Sequence, residues 1–179
     1  MAIHYWKKLS TNVILENRYV TVVEDEVELP NGHQTKYLRY PSLTDYVTVI
    51  AMRDNKIAML KEYSYPHDDF LLQLPEGSIE NGEDPEPAAL RELQEEASLT
   101  ATILTRIGRS THDHRRSDTF QLVYVATGVT DAPKLQGDAE EIGTTVEWYS
   151  VADIKQMATY GTIVQRNTFA ALMHFFSQQ

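Results

Sequence analysis

A group of carboxylates lies in the segment LPEGSIENGEDPEPAALRELQEEASL, which runs from Leu74 to Leu99. Glu92, Glu95 and Glu96 are spaced at i, i+3 and i+4, so a helix there places all three side chains on one face. Like charges at this spacing repel each other by roughly 0.2–0.5 kcal/mol per pair, so the cluster is either freely solvated or compensated by cations. Mg²⁺ fits the second case, because it takes oxygen ligands and bridges carboxylates to substrate phosphates.

A turn and an arginine flank these carboxylates. The turn Pro75-Glu76-Gly77 precedes the helix, and its glycine permits dihedral angles that bring a backbone carbonyl to the same cation. Arg91 comes directly before Glu92 and is placed to pair with Glu83 or Glu95. For an arbitrary E-x-x-E-E run, a solvated acidic face is the ordinary interpretation, so the surrounding spacing has to decide.

Helices must position these side chains, and two of them are marked by their first residues. Asp84 is the predicted N-cap, and Pro85 the first residue, of a helix that extends to Ala97. Ser150 and Asp153 have the spacing of a capping box, which predicts a second helix start.

A helix is also predicted from Asn167 to Phe176, close to the end of the sequence. Four apolar residues form one stripe along it: Phe169, Leu172, Met173 and Phe176. Such a stripe indicates core packing rather than a cofactor site.

The rest of the chain is predicted to be mainly β-strands. Alternating residues 20–28 and 34–40 flank the turn Pro30-Asn31-Gly32-His33, which is the pattern of a β-hairpin. A more apolar hairpin is predicted from residues 47–52 and 57–60, joined by a turn at 53–56. Further strands are predicted at 70–74, 102–107, 120–126 and 146–149. The change of pattern near Tyr40-Pro41 divides the chain into an N-terminal β domain, 1–40, and a second domain, 41–179.

Composition excludes several classes of protein. The 179 residues carry a formal charge of −10, which repels nucleic acid and anionic membranes unless positive charge is concentrated locally. There is no cysteine, which excludes disulfides, thiolate catalysis and zinc–thiolate sites. The N-terminal MAIHYWKKLS lacks the apolar core of a signal peptide, so we expect a cytoplasmic protein with no nucleic-acid or membrane partner.

The spacing around the carboxylates resembles the Nudix box, G-x5-E-x7-R-E-U-x-E-E-x-G-U, where U is aliphatic. Gly77, five residues, Glu83, seven residues and the run RELQEEASL that starts at Arg91 reproduce it, with one departure. Ser98 stands where the family has its second glycine, at a helix end where a left-handed backbone favours glycine. The resemblance therefore argues against the interpretation of the acidic run as a solvated helix face.

Outside the box the chain resembles the ADP-ribose pyrophosphatase and nucleoside-diphosphate-sugar hydrolase branch of that family. The resemblance consists of the N-terminal β unit, the Leu-Pro-Glu-Gly run, a late acidic loop and the C-terminal Gly161-Thr162-Ile163 run into a helix. It implies an α/β fold, a Nudix α/β/α sandwich on a mixed sheet, with a small N-terminal β domain that commonly joins two subunits into a homodimer.

The resemblance also implies roles for the box residues. Glu92 and Glu96 are then the principal Mg²⁺ ligands, with Mn²⁺ as a second option, and Glu95 is a further ligand or orienting residue. The Glu76 carbonyl is a backbone ligand. Glu83 and Arg91 are structural partners.

The base that activates water is expected on a late acidic loop in this branch. Here that loop is the run GDAEEI at 137–142. We choose Glu140 over Glu141 because the family's glutamate tends to lie two residues before the aliphatic position. Glu95 is the next candidate, and a solvated loop is the structural alternative.

Basic residues outside the box are candidates for binding the substrate. Arg109, Arg115 and Arg116 lie in one polar run that is placed to cover a diphosphate, although a solvated loop explains them equally well. Arg39 and Lys61 complete the candidate set.

The strand after Leu60 departs from the branch. ADP-ribose pyrophosphatases often read Arg-Gln-Tyr-Arg where this chain has Lys61-Glu62-Tyr63-Ser64, and Gln73 replaces a frequent glutamate. These departures favour a broader specificity for nucleotide sugars.

The predicted function is Mg²⁺-dependent hydrolysis of a nucleoside diphosphate sugar, such as ADP-ribose or GDP-mannose, to a nucleoside monophosphate and a sugar phosphate. One alternative is another Nudix substrate: a dinucleoside polyphosphate, coenzyme A or an RNA cap. The other is a catalytically silent Nudix fold that binds a nucleotide as a sensor. Intact box carboxylates argue against the silent fold. We also expect a homodimer, since about 40 residues make a β unit too small to bury a core alone.

Overall fold

A computed structural model describes residues 5–41, 44–111, 113–135 and 143–178. The chain divides into two compact units: Met1–Leu43 with Thr111–Thr119, and Thr44–Ser110 with Phe120–Gln179. The expected bases Glu140 and Glu141 lie outside the described residues.

The first unit contains a three-stranded antiparallel sheet in the order β1 (Lys7–Glu16), β2 (Thr21–Glu28), β3 (Gln34–Arg39). The predicted hairpin is confirmed, because β2 and β3 pair from Val23 opposite Arg39 to Glu28 opposite Gln34. Gly32 supplies the positive φ of the turn, at 82°. Sequence reasoning did not identify β1 as a separate strand.

The second unit is built on a seven-stranded mixed sheet. Its strands are β4 (Tyr46–Arg53), β5 (Lys56–Ser64), β6 (Asp69–Gln73), β7 (Glu76–Ser78), β9 (Ile103–Thr111), β10 (Phe120–Thr127) and β12 (Thr145–Ser150). The main path is β12-β5-β4-β10-β9, with β6 beside β5 and β7 beside β4. Two short strands, β8 (Leu99–Thr100) and β11 (Thr130–Asp131), pair separately.

The sheet is mixed because β4 and β10 run parallel while β4 and β5 form an antiparallel hairpin. Asp54 and Asn55 make the two-residue turn of that hairpin with φ of 52° and 57°. A two-residue turn with positive φ at both positions matches the right-handed twist of its strands. The second predicted hairpin is therefore confirmed.

Helices cover both faces of this sheet. The helix α1 (Pro85–Ala97) packs against one face, with Ala88, Ala89 and Leu93 fully buried in that core. The helices α2 (Val151–Thr159) and α3 (Arg166–Phe176) pack against the other face through a second core. The α/β/α sandwich implied by the resemblance is confirmed. In the described residues, no helix is both long enough and apolar enough to span a membrane.

The caps of α1 and α2 differ. Ser150 Oγ accepts the Asp153 backbone N–H at 3.1 Å, as the capping-box spacing predicts. Asp84 occupies the N-cap position of α1 with extended backbone, but its side chain makes no capping hydrogen bond. The predicted position is right and the expected side-chain bond is absent.

The predicted core stripe on α3 is right for Leu172, which is fully buried, and for Phe176, which packs against the second core, and wrong for Phe169 and Met173. Phe169 and Met173 are each 40% exposed, whereas Thr168, Ala171, Leu172 and Phe175 are buried. The buried face is shifted toward Thr168, whose Oγ1 accepts the Leu74 backbone N–H at 2.9 Å. A buried backbone donor needs a partner, so this bond turns the Thr168 side toward the sheet.

Candidate functional site

Arg91 organises the acidic box. Its Nε and Nη2 donate to the two oxygens of Glu83 at 3.1 and 2.9 Å, and Nη1 donates to Glu92 at 2.7 Å and Glu95 at 3.0 Å. Nη2 also donates to the Ser78 carbonyl at 2.8 Å, so all five guanidinium donors are used. The sequence predicted pairing with Glu83 or Glu95, and the structure shows both, with Glu92 in addition.

The contacts between Arg91 and Glu83 shift the pKa values of both residues. The hydrogen bonds to Glu83 are the largest cause of the raised pKa of Arg91, with Glu92 and Glu95 adding to it. The same bonds hold the pKa of Glu83 below its usual value. Each group therefore stays charged, and the guanidinium compensates part of the repulsion among the glutamates.

Gly77 leaves room for the Glu92 carboxylate. A Cβ built at Gly77 falls 2.0 Å from Glu92 Cδ, which is far inside any real contact distance. Glu92 is 8% exposed, so the carboxylate lies in a space formed by the missing side chain. A side chain at position 77 would therefore displace the Glu92 carboxylate from its place on the acidic helix.

The Glu76 backbone connects the turn to the third box carboxylate. Its N–H donates to Glu96 Oε2 at 2.8 Å. The turn itself is fixed to β4, where Val49 N–H donates to the Pro75 carbonyl at 2.8 Å. Glu96 and the backbone of Glu76 are therefore adjacent, while the predicted role of the Glu76 carbonyl as a ligand stays a prediction.

The Glu76 side chain lies in a polar network that sequence reasoning missed. Its Oε1 accepts from Gln165 at 2.7 Å and Asn167 at 3.3 Å, and its Oε2 accepts from Thr48 at 3.2 Å. Burial raises the pKa of Glu76, the hydrogen bonds work against that rise, and the negative charge of Glu62 adds to it.

This network ties α3 to the box. Gln165, the N-cap of α3, accepts the Thr168 backbone N–H at 2.6 Å and uses its amide nitrogen on Glu76. Sequence spacing gave no signal for it, because glutamine is not a preferred N-cap and Glu76 lies 89 residues away.

Ser98 adopts the backbone conformation that the family's glycine would have. Its φ of 54° and ψ of 39° are left-handed, and its N–H donates to the Gln94 carbonyl at 3.0 Å. The departure from the box thus leaves the helix end in its usual shape, at the cost of a strained residue.

The donor set fits a hard divalent cation, because Glu92, Glu95 and Glu96 offer carboxylate oxygens beside the Glu76 backbone. Among the described residues, no three histidine, aspartate or glutamate side chains converge on one point as they stand. Arg91 binds two of these carboxylates and Glu76 N–H binds the third, which accounts for that spread.

A cleft of about 700 Å³ lies beside the box. Its walls include Glu62, Ser64, Tyr65, His67, Gln73 and Gln165. Gln165 also holds Glu76, and Glu62 lines a second, very small cavity together with Glu96. The volume is in the range of small-molecule sites, and the contacts of Gln165 and Glu62 place the cleft next to the box.

The predicted substrate-binding cations lie in both units. Arg39 pairs with Asp25 at 2.5 Å, and Arg116 donates to the Leu38 carbonyl at 2.7 Å. Arg115 accepts a hydrogen bond from the Tyr37 hydroxyl through its carbonyl. These three arginines belong to the first unit.

The other two cations belong to the second unit. The Arg109 guanidinium stacks on the Phe120 ring at 4.7 Å, and Lys61 lies 5.8 Å from the Phe70 ring. Their substrate contacts stay predictions.

Comparison with known proteins gives two family matches. Residues 42–172 match the NUDIX domain, and residues 6–37 match the nucleoside diphosphate sugar hydrolase N-terminal domain.

Individual relatives span most of the chain. A methanol dehydrogenase activator of Bacillus methanolicus is 33% identical over 145 residues, which is 79% of this chain and 77% of that protein. An ADP-ribose pyrophosphatase of Mycobacterium tuberculosis is 27% identical over 178 residues, 97% of this chain and 84% of that protein. An ADP-ribose pyrophosphatase of Bacillus subtilis is 36% identical over 104 residues, covering 56% and 55%.

A solved structure has the same fold. The crystal structure of an ADP compounds hydrolase superposes with a TM-score of 0.90 over 99% of this chain and 96% of that one, at 21% identity.

Proposed function

This chain belongs to the Nudix family, and we propose that it hydrolyses the diphosphate bond of nucleoside diphosphate sugars. The products are a nucleoside monophosphate and a sugar phosphate. The observation that carries the proposal is the box itself: Glu92 seated against Gly77, Glu96 bonded to the Glu76 backbone, and Arg91 bracing the group. The matched N-terminal domain and the two ADP-ribose pyrophosphatases support the substrate class.

A divalent metal cation is the cofactor, and Mg²⁺ is our proposed ion, with Mn²⁺ as an alternative. Glu92, Glu95, Glu96 and the Glu76 carbonyl would hold it. When bound, such a cation neutralises the diphosphate and supplies Lewis-acid stabilisation of the charge that develops at phosphorus.

The chain's own residues supply the remaining chemistry. Water attacks one phosphorus, the bond from that phosphorus to the bridging oxygen breaks, and the bridging oxygen leaves with the other phosphate. We propose that Glu140 takes the proton from the attacking water. Glu141 and then Glu95 are the alternatives.

Removing a general base lowers the rate by about 10²- to 10⁴-fold while binding is largely retained. Glu140→Gln is therefore expected to lower kcat far more than it raises KM, with Glu141→Gln as the matched neighbour. If Glu141→Gln loses activity while Glu140→Gln keeps it, Glu141 is the base instead of Glu140. Full activity in both moves the base to Glu95.

One product assay tests the proposed function. Purified protein is incubated with ADP-ribose, GDP-mannose, UDP-glucose and diadenosine polyphosphates, each with Mg²⁺, with Mn²⁺ and with chelator. We expect metal-dependent release of monophosphate and sugar phosphate from at least one sugar nucleotide. Preferred cleavage of a diadenosine polyphosphate contradicts the substrate class. Tight nucleotide binding without turnover favours the sensor.

We also propose a homodimer formed through the first unit. All ten residues of β1 are exposed, including Val13 at 53% and Ile14 at 54%. Apolar side chains on a long exposed edge strand favour coverage by another chain. Sedimentation at micromolar concentration is expected to give about twice 20.4 kDa, and a monomer removes the proposal.

The charge of −10 supports a protein without nucleic-acid or membrane partners, and we propose that it acts in the cytoplasm.

A further inference from the structure

The cleft beside the box has an unusual charge for a site that serves an anionic substrate. None of the described residues that line it is a lysine or an arginine. The charged group on its wall is the Glu62 carboxylate, which accepts a hydrogen bond from the Gln73 amide. A second phosphate or a carboxylate in this cleft would therefore meet negative charge and no described cation.

The uncharged groups of the cleft suit a ligand rich in hydroxyls. Ser64 Oγ and His67 Nδ1 lie 2.7 Å apart, the Gln73 amide lines the cleft with its nitrogen bonded to Glu62, and Tyr65 is 85% exposed. Carboxylates and amides accept hydrogen bonds from hydroxyls, and an aromatic ring packs against the apolar face of a sugar ring. The cleft thus offers the contacts that a neutral sugar makes.

Glu62 is the residue that links this cleft to the box. It lines the cleft on one side and, on the other, the small cavity that Glu96 and Lys134 also line, so the lysine lies on the box side and not in the cleft. Its charge therefore acts on whatever part of the substrate extends from the diphosphate into the cleft.

We propose that this cleft binds the uncharged sugar of the substrate, and that Glu62 is a specificity-determining residue that excludes sugars carrying a negative charge. The inference rests on the proposed function, since it assigns the sugar of that substrate to one part of the site. Repulsion between Glu62 and a negatively charged sugar at close range in a partly buried cleft is expected to lower the affinity for that sugar by about 10- to 100-fold.

The test uses two pairs of sugar nucleotides whose members differ at the sugar C6: UDP-glucose with UDP-glucuronate, and GDP-mannose with GDP-mannuronate. The dissociation constants are measured by calorimetry and kcat/KM by product release. Wild type is expected to favour the neutral member at least about tenfold in the pair it binds more tightly. Equal affinity for both members overturns the proposal.

Three variants separate charge from structure. Glu62→Gln is expected to reduce the preference at least about tenfold, chiefly by improving the charged member. The double variant Glu62→Gln with Gln73→Glu exchanges the carboxylate and the amide of the two side chains. It is expected to restore the preference for the neutral sugar. Glu86→Gln, which removes an exposed charge on α1, is the matched control and leaves the preference unchanged. A preference that persists in Glu62→Gln overturns the assignment.

The binding ratio is measurable without turnover, so failure of this inference and failure of the proposed function are distinguishable. Binding with discrimination but no hydrolysis contradicts the proposed function alone. Hydrolysis without discrimination contradicts the role of Glu62 alone.

Discussion

The two units of this chain place their charges in opposite ways. In the N-terminal sheet, one arginine meets one aspartate across the strands: Arg39 bonds to Asp25 at 2.5 Å, and Thr11 Oγ1 adds a bond at 2.6 Å. In the Nudix unit, one arginine meets three glutamates beside a core that contains fully buried strand residues such as Val49 and Leu60. A rigid core can hold like charges together for chemistry, whereas a thin sheet uses its charge to keep its own strands in register.

The largest expected effect tests the charges of the Nudix unit. Glu92→Gln and Glu96→Gln keep the shape of the side chain and remove the charge that a metal cation needs. Losing a group that merely orients a metal ligand costs about 10- to 100-fold, so we expect each variant to lose at least 100-fold in kcat/KM. Metal-dependent turnover is the measurement and Glu86→Gln the control. Wild-type turnover in either variant contradicts its role as a ligand.

The second effect compares how much each unit relies on burial. Leu172 is fully buried, so Leu172→Ala is expected to cost about 2–5 kcal/mol of unfolding free energy through lost burial and a cavity. Ile14 on β1 is 54% exposed within one chain, so Ile14→Ala is expected to cost less than about 1 kcal/mol at protein concentrations low enough to keep the chain monomeric. Denaturant unfolding at equal protein concentration measures both. Equal losses would mean that β1 is as well packed as the core, as a tight dimer would make it.

The third effect concerns the buried carboxylate of the sheet. Burial alone would raise the pKa of Asp25, but the hydrogen bonds from Arg39 and Thr11 outweigh it and leave that pKa below its usual value of 3.8. A lowered pKa in the folded state stabilises the fold above pH 3.8, and this contribution is lost as the pH falls through the lowered pKa.

Asp25→Asn is therefore expected to cost about 1–2 kcal/mol at neutral pH and to flatten the loss of stability in acid. Melting curves between pH 2 and 7 measure it. Glu26→Gln, on the exposed side of the same strand, is the control and should keep the wild-type slope. A variant with wild-type acid sensitivity would show that another group is responsible.

The smallest expected effect concerns the backbone strain at Ser98 in the Nudix unit. Ser98 has a φ of 54°, so Ser98→Gly relieves left-handed strain and is expected to stabilise the Nudix unit by about 0.5–1 kcal/mol. Thermal melts measure the gain. Ser78→Gly, at an exposed strand residue without positive φ, should destabilise instead. A loss of stability in both would show that Ser98 contributes contacts that outweigh its strain.

Local features of the fold were predictable because their causes are local. The Asp54-Asn55 turn and the Ser150 cap both follow from residues within four positions of each other. The shared helical face of Glu92, Glu95 and Glu96 was predictable for the same reason, whereas the interpretation of that face as a metal site depended on the resemblance to the Nudix box.

Features that depend on distant contacts were not predictable. The α3 stripe was only half right, with Phe169 and Met173 wrongly assigned to the core, because the bond from Leu74 to Thr168 joins residues 94 positions apart. The parallel pairing of β4 with β10, in which Gln121 lies opposite Tyr46, leaves no periodic signal in either strand. The Gln165 bond to Glu76 was missed for the same reason.

Gly77 has a further meaning for comparing related sequences. The Glu92 carboxylate fills the space that a Cβ at this position would take, so the place of the carboxylate depends on the glycine. A related chain with every box glutamate but alanine at this position would have an unchanged charge count and a displaced carboxylate. In a survey of such chains, the residue at this position indicates whether the Glu92 carboxylate can keep its place. The presence of the glutamates alone does not indicate this.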